Sequence, residues 1–535
     1  MKINPLFCVD YYKQSHYKMY PKNTTKIYSN FTPRKSRISG INSVVVFGLQ
    51  YYIKEYLIDQ WNENFFNRSK AEVVSEFKRL MDYTLGKDSI GVSHIEQLHD
   101  LGYLPLEIKS LPEGTLCPIS VPCFTITNTI DHAYWLVNFL ETSLSYTVWQ
   151  ATTSATIAHA YRKLLNKYAI ETTGDTSIVD WIGHDFSLRG MSSLESGCLS
   201  GAGHLLSFTG TDTIPAIPFL EQYYNADVTK ELVGASVPAT EHSVMCMGSK
   251  DGEIETFERL LNDFPTGILS VVSDTWDLWK VCTEYVTTLK DKILAREGKL
   301  VIRPDSGDPV DIICGLDNKD GYTIKCDEIN LFLRNNETGR SKPISDEEYK
   351  GVIELLWDVF GGTINDQGYK VLDPHIGAIY GDSITLQRAE EICERLKAKG
   401  FASTNIVLGI GSYTYQYNTR DTFGFAMKAT YGEVKSTDNY DENWGPHMGS
   451  VHCLEIFKDP ITDDGTKKSA KGLLRVAEVH STDSLGKLHL TGYKLFDQQS
   501  KEQERASALQ TVFIDGQFTV DQSLSQIRKR LNSFL

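Results

Sequence analysis

Five short strings in this chain carry side chains able to do chemistry. GHDFSLRG (183–190) sets Phe186 and Arg189 among glycines. The ring can stack on a flat ligand and the guanidinium can hold an anion or a polar ring substituent; the alternative is a core phenylalanine and a surface arginine. In SFTGTDT (207–213), Asp212 stands among small hydroxyl residues as an acceptor in a close-packed turn, and alone it reads as a turn residue. SVPATEHSVM (236–245) pairs Glu241 with His242. Such an imidazole serves as a nucleophile or phosphoryl acceptor when a carboxylate sets its tautomer, and is structural otherwise. VIRPDSGDP (301–309) puts Arg303 and Asp305 ahead of a turn, a set suited to a diphosphate and a ribose diol. The glycines of LGIGS (408–412) expose backbone N–H groups suited to a phosphate monoester.

These residues need strands that end in the right places. Four apolar runs each finish in a carboxylate or in glycines: ILSVVSD (268–274), LVIRPD (300–305), IGAIYGD (376–382) and NIVLGIGS (405–412). Asp274 and Asp305 lie 31 residues apart, and Asp382 and Gly409 lie 27 apart, a natural length for one β/α unit. The intervening stretch 382–400 predicts a helix with an Asp/Ser cap, an apolar face of Leu386, Ala389, Ile392, Cys393 and Leu396, and a stop at Gly400. Residues 344–360 predict a single helix opened by a capping box from Ser345 to Glu348. Apolar strands alternating with helices imply a parallel sheet, open or closed, with Asp274, Asp305 and Asp382 converging on one mouth or each acting as a helix cap. The polar, turn-rich stretch 315–345 interrupts this rhythm as a hairpin or loop and receives no chemistry. The first 150 residues mix sheet-like segments (43–57 in part, 123–130) with helical runs over 132–169.

Composition narrows the function classes. The 535 residues carry 54 Lys+Arg against 69 Asp+Glu, a net charge of -15. That balance disfavours a nucleic-acid or anionic-membrane partner, which needs a basic surface. Ten cysteines without a CxxC pair are too dilute for a disulfide scaffold and read as small core residues. No run of 18 apolar residues occurs and the first residues hold no apolar core of a signal segment, so a cytoplasmic, reducing location is expected. P-loop, GxGxxG, HExxH, GxSxG and EF-hand motifs are absent, so any phosphate must be held by another device.

In this order the strings resemble the nicotinamide phosphoribosyltransferase family. The correspondence runs from VDYYKQSHYKMYPKNT (9–24) through HDFSLRG, GTDT, SVPATEHS, SVVSDTWD, IRPDSGDP and Gly381-Asp382 to TRD (419–421) and IFKDP (456–460). The resemblance implies an irregular, TIM-like parallel α/β barrel over residues 151–425, with the polar insertion near 315–345. It also implies a second, α+β domain formed from both chain ends, residues 1–150 completed by 426–535, and a homodimer with shared active sites. The implied reaction joins nicotinamide and phosphoribosyl pyrophosphate into nicotinamide mononucleotide and pyrophosphate, with Mg2+ and with ATP as co-substrate.

Residue by residue, Phe186 and a partner subunit's Tyr12 would sandwich the nicotinamide, with Arg189 at the same ring. Asp212 would accept from the carboxamide. His242, beside Glu241, would be phosphorylated by ATP. Asp274 and Asp305 would bind ribose hydroxyls or hydrated Mg2+, Arg303 the diphosphate, and Gly381 and Asp382 the ribose. Gly411 and Ser412 would meet the 5′-phosphate, with charge from Arg34, Arg420, Lys428 and Lys458. The phosphate loop here reads GIGSY where familiar animal members carry a run of glycines, and Ser412 can still donate its backbone N–H. A nicotinate phosphoribosyltransferase is the nearest alternative, and a catalytically silent binding or signalling relative a more distant one.

Overall fold

A strand that re-enters a sheet after a helix keeps the direction of its predecessor, so apolar runs alternating with amphipathic helices build a parallel sheet. The structure, a computed structural model, describes residues 3–318, 321–327, 330–381, 383–436, 450–459, 461–462, 470–482, 486 and 488–535. The chain divides into two units. Unit 1 is Met1–Thr156, Pro218–Asp227 and Asn418–Leu535; unit 2 is Ile157–Ile217 and Val228–Tyr417. Pro218–Asp227 lies in sequence inside the expected barrel stretch 151–425, yet it clusters with unit 1. There Phe219 and Tyr223 pack on the Tyr51 ring at centroid distances of 4.7 and 4.6 Å.

Unit 2 holds a six-stranded parallel sheet. Its order is Gly210–Thr211, Gly183–Asp185, Ile406–Ile410, Ile376–Tyr380, Glu297–Arg303 and Thr266–Val272. Ala235 bridges Gly210 and Ala239 bridges Ser270, both in parallel, so the extended segment 235–240 links the two edge strands and the sheet curls into an irregular barrel. Buried on both faces, these strands read as continuous apolar runs: all of Ile376–Tyr380 is buried, as are Leu300, Val301 and Ile302.

Helix Leu386–Ala398 buries Ala389, Ile392, Cys393 and Leu396 as its pattern predicts, with Leu386 half-buried. Its cap is Thr385, which accepts from Arg388 N at 3.2 Å, rather than the Asp/Ser pair, and Asp382 lies outside the described residues. The expected single helix over 344–360 is two, Asp346–Lys350 and Val352–Phe360, opened by the predicted capping box. Gly351 divides them with φ +76°, where a Cβ would lie 2.1 Å from Gly315 N; close backbone approach overrides helix propensity there. The excursion at 315–345 forms a three-stranded antiparallel sheet, Tyr322–Cys326, Leu331–Asn335 and Ser341–Ile344.

Unit 1 is α+β. Its seven-stranded sheet runs Val451–Glu455, Ala426–Lys435, Thr24–Thr32, Phe124–Asn128, Leu106–Ser110, Gln510–Ile514 and Gln517–Phe518, so both chain ends build it. Of the stretch 43–57 only Ser43–Val45 is strand, and the chain turns helical at Leu49. Six cysteines are buried as expected, but Cys246, Cys326 and Cys453 are exposed and Cys8 is intermediate; small size permits burial without requiring it. Among the described residues no helix is long and apolar enough to cross a membrane.

Glu253 opens the helix Glu253–Asp263 in a buried position, and its Oε1 has no hydrogen-bond partner. Burial, then the nearby Asp277 charge, pushes its carboxyl up to about 7. The folded protein therefore binds this proton more tightly than the unfolded chain, and the linked stability falls as pH rises from about 4.5 through about 7. Glu253→Gln should melt increasingly above the parent as pH goes from about 5 to about 8. Melting temperatures that stay parallel across that range would show that Glu253 does not titrate there.

Candidate active site

The ladder register decides which residues share the barrel rim. Val272 lies opposite Arg303, Ala378 opposite Ile302, Tyr380 opposite Leu408, and Asp185 opposite both Ile410 and Thr211. The residues that follow these strands emerge on one side: Asp274, Asp305, Gly381, Gly411, Ser412, Phe186 and Asp212. Segment 235–240 delivers Glu241 and His242 to the same side, the C-terminal side of the strands where parallel α/β folds carry their sites.

Asp274 knots this rim together. Its Oδ2 accepts from Asp305 N at 2.8 Å, from Ser306 N at 2.7 Å and from the Ser306 hydroxyl. Its buried Oδ1 lies 3.4 Å from His242 Nε2. Burial would raise this carboxyl, but the Ser306 and Asp305 hydrogen bonds and the His242 charge outweigh it and hold the group below the usual carboxylate range. The carboxylate facing His242 is thus Asp274. Glu241 precedes the helix His242–Met247 and instead accepts from the Ser243 hydroxyl.

Arg303 donates to Thr240 O at 2.6 Å, while its buried Nε has no partner. Desolvation lowers its pKa against the pull of Asp305 and Asp212, so the site offers a buried cation with an unused donor, which fits an anionic ligand. Asp305 lies over Gly381, where a Cβ would come within 2.6 Å of its Oδ1. Ser412 packs against Gly190, and Phe186 N donates to Ile410 O at 3.0 Å, which ties the 408–412 segment to the aromatic string.

The aromatic part centres on Asp212. His184 Nε2 lies 2.9 Å from its Oδ1, and Ser236 Oγ donates to the same oxygen at 2.6 Å. Burial would raise the Asp212 carboxyl, but these hydrogen bonds, with the charges of His184 and Arg303, hold it below its ordinary value. Phe186 is half-buried with its ring 4.5 Å from the His184 ring, and Arg189 is exposed and close enough to act on Arg303.

Unit 1 carries the remaining candidates. Tyr12 is 57% exposed on the turn Tyr11–Ser15. Arg34 donates to Gly424 O at 3.0 Å beside the strand that holds Lys428. Desolvation, then the positive charges of Arg34, Lys458 and Arg420, push the Lys428 ammonium below its usual value against the pull of Glu141. Four cations held together at such a cost form an anion-seeking cluster.

With this geometry in place, comparison with known proteins identifies the family. Residues 182–517 match the nicotinate phosphoribosyltransferase family, and residues 4–108 match a nicotinamide phosphoribosyltransferase N-terminal domain. The chain belongs to the nicotinate phosphoribosyltransferase family. Among its relatives, the nicotinamide phosphoribosyltransferase of Acinetobacter baylyi is 49% identical over 99% of this chain and 97% of its own. Those of Mycoplasma pneumoniae (34%, over 87% and 94%) and Xanthomonas campestris (30%, over 98% and 97%) carry the same name. Within this family fold, sequence reasoning missed His184, Ser236, Thr240 and Ser306. A signal existed for His184: side chains two apart on a strand share a face, so the residue two before Phe186 had to accompany it.

Asp274→Asn removes the charge that three donors serve. Because hydrogen bonds to charged groups contribute about 1.5–3 kcal/mol, the KM for the phosphoribosyl donor should rise about 10–100-fold in steady-state assays. An unchanged KM would show that Asp274 does not organise the 305–306 turn for binding.

Proposed function

We propose that this chain is a nicotinamide phosphoribosyltransferase, a pentosyltransferase of NAD salvage. The pyridine nitrogen of nicotinamide attacks C1 of phosphoribosyl pyrophosphate, the C1–oxygen bond to the diphosphate breaks, and nicotinamide mononucleotide and pyrophosphate leave. Relatives of that name aligned along nearly the whole chain support the reading. The observation that carries the choice of amide over acid is Asp212, a carboxylate kept ionised by His184, whose ring packs on Phe186. A carboxamide N–H finds an acceptor there, whereas nicotinate brings a second negative charge. Sites built to bond a substrate N–H reject analogues lacking it by about 10⁴–10⁵ in the best cases.

The finer roles belong to the same proposal. Arg303 takes the diphosphate, Asp305 with Asp382 stabilises positive charge developing at the sugar carbon, and Gly411 and Ser412 receive the 5′-phosphate, while Arg34, Arg420, Lys428 and Lys458 serve as an anion-binding cluster. Mg2+ keeps several waters and needs only one or two carboxylates beside substrate phosphates. Asp305 fits that need, and Asp274, with Oδ2 engaged by three donors, acts mainly by holding the Asp305 turn. His242 accepts the γ-phosphoryl group of ATP: a nitrogen–phosphorus bond forms as the β–γ linkage breaks, releasing ADP. A carboxylate at Nε2 favours the tautomer with its lone pair on Nδ1, which makes Nδ1 the nucleophile. The exposed Tyr12 supports a homodimer in which it completes a neighbour's nicotinamide site.

The purified enzyme should convert nicotinamide to its mononucleotide far faster than nicotinate, read by mass spectrometry; faster turnover of nicotinate would overturn the assignment. His242→Ala should keep a basal transferase activity and lose its stimulation by ATP. Stimulation equal to the parent's would remove His242 from the ATP step.

A further inference from the structure

Asp212 has two carboxylate oxygens, and the fold uses one. Both His184 Nε2, at 2.9 Å, and Ser236 Oγ, at 2.6 Å, converge on Oδ1, and Oδ2 accepts from no described group. The two donors differ in how firmly they are held. Ser236 is exposed on the segment that closes the barrel, where water can replace its hydroxyl. His184 is 8% exposed, with its ring against Phe186 on one side and Gly210 close behind, where a Cβ would lie 2.7 Å from Nδ1. Gly210 is itself fixed, since its carbonyl accepts from the buried His204 at 3.0 Å.

We propose that His184 is the positioning residue for amide recognition: by donating Nε2–H to Asp212 Oδ1 it fixes the carboxylate plane and leaves Oδ2 for a neutral N–H donor on an aromatic ligand. This rests on the reading of Asp212 as the amide acceptor. The terminal torsion of an aspartate is broad and two-fold, so the carboxylate needs an external hold to present one chosen oxygen. Arg303 supplies the competing attraction, as its charge already acts on Asp212. Without the His184 hydrogen bond the carboxylate turns toward the guanidinium, loses its aim at the ligand and discriminates amide from acid less well. His184 touches Phe186 as well, so specificity and ring stacking share one support.

Two substitutions separate the hydrogen bond from the packing. His184→Phe keeps a ring against Phe186 and removes the donor; His184→Gln places an amide N–H at about the reach of Nε2. With folding checked by melting temperature, His184→Phe should raise the KM for nicotinamide about tenfold with a smaller change in kcat, and should lower the preference for nicotinamide over nicotinate by a similar factor. His184→Gln should stay within about threefold of the parent on both readouts. Equal losses in the two variants would assign His184 to packing alone and overturn the inference. Asp212→Asn, measured alongside, separates the two levels. If it relaxes the preference for nicotinamide while His184→Phe does not, only the role of His184 fails. If Asp212→Asn is as selective as the parent, the reading of Asp212 itself fails.

Discussion

Parallel strands share one polarity, and their ladder register leaves little freedom about where the residues after them emerge. In unit 2 that constraint brings strand ends from four separate stretches, 183–186, 210–212, 266–274 and 297–305, to a common rim, joined by those of 376–381 and 406–412. The extended segment 235–240 then closes the ring and adds His242. The candidate side chains follow strands whose ladders pair them with their neighbours, which is how a site made of short loops acquires a defined geometry.

On that rim two carboxylates solve the same problem in the same way. Asp274 commits Oδ2 to the Asp305–Ser306 turn and turns Oδ1 to His242; Asp212 commits Oδ1 to His184 and Ser236, and among the described residues its Oδ2 accepts from none. In each, protein donors outweigh desolvation and keep the group ionised, with one oxygen committed to the fold. The cations follow the opposite logic. Arg303 and Lys428 are both pulled below their usual values by desolvation, a cost that an anionic ligand relieves.

Much of this was legible along the chain. The four apolar runs became strands because parallel strands are buried on both faces and leave an unbroken apolar signature. The helix face at Ala389, Ile392, Cys393 and Leu396 and the Ser345 capping box were equally plain, since both depend on residues within one or two turns. The failures have a common cause in contacts made from afar. Gly351 breaks a helix because Gly315 crosses it. Pro218–Asp227 clusters with unit 1, where its Phe219 and Tyr223 pack on Tyr51.

By itself the sequence determined the kinds of chemistry available and the order in which they are strung, because residue type and local periodicity are properties of neighbours in the chain. Which carboxylate serves which partner was decided only by tertiary structure. Glu241 adjoins His242 in sequence, yet Asp274, 32 residues later, faces it. His184 reaches Asp212 across two adjacent strand ends. Hydrogen bonds act over about 3 Å of space whatever the separation along the chain, and only the folded register sets those distances.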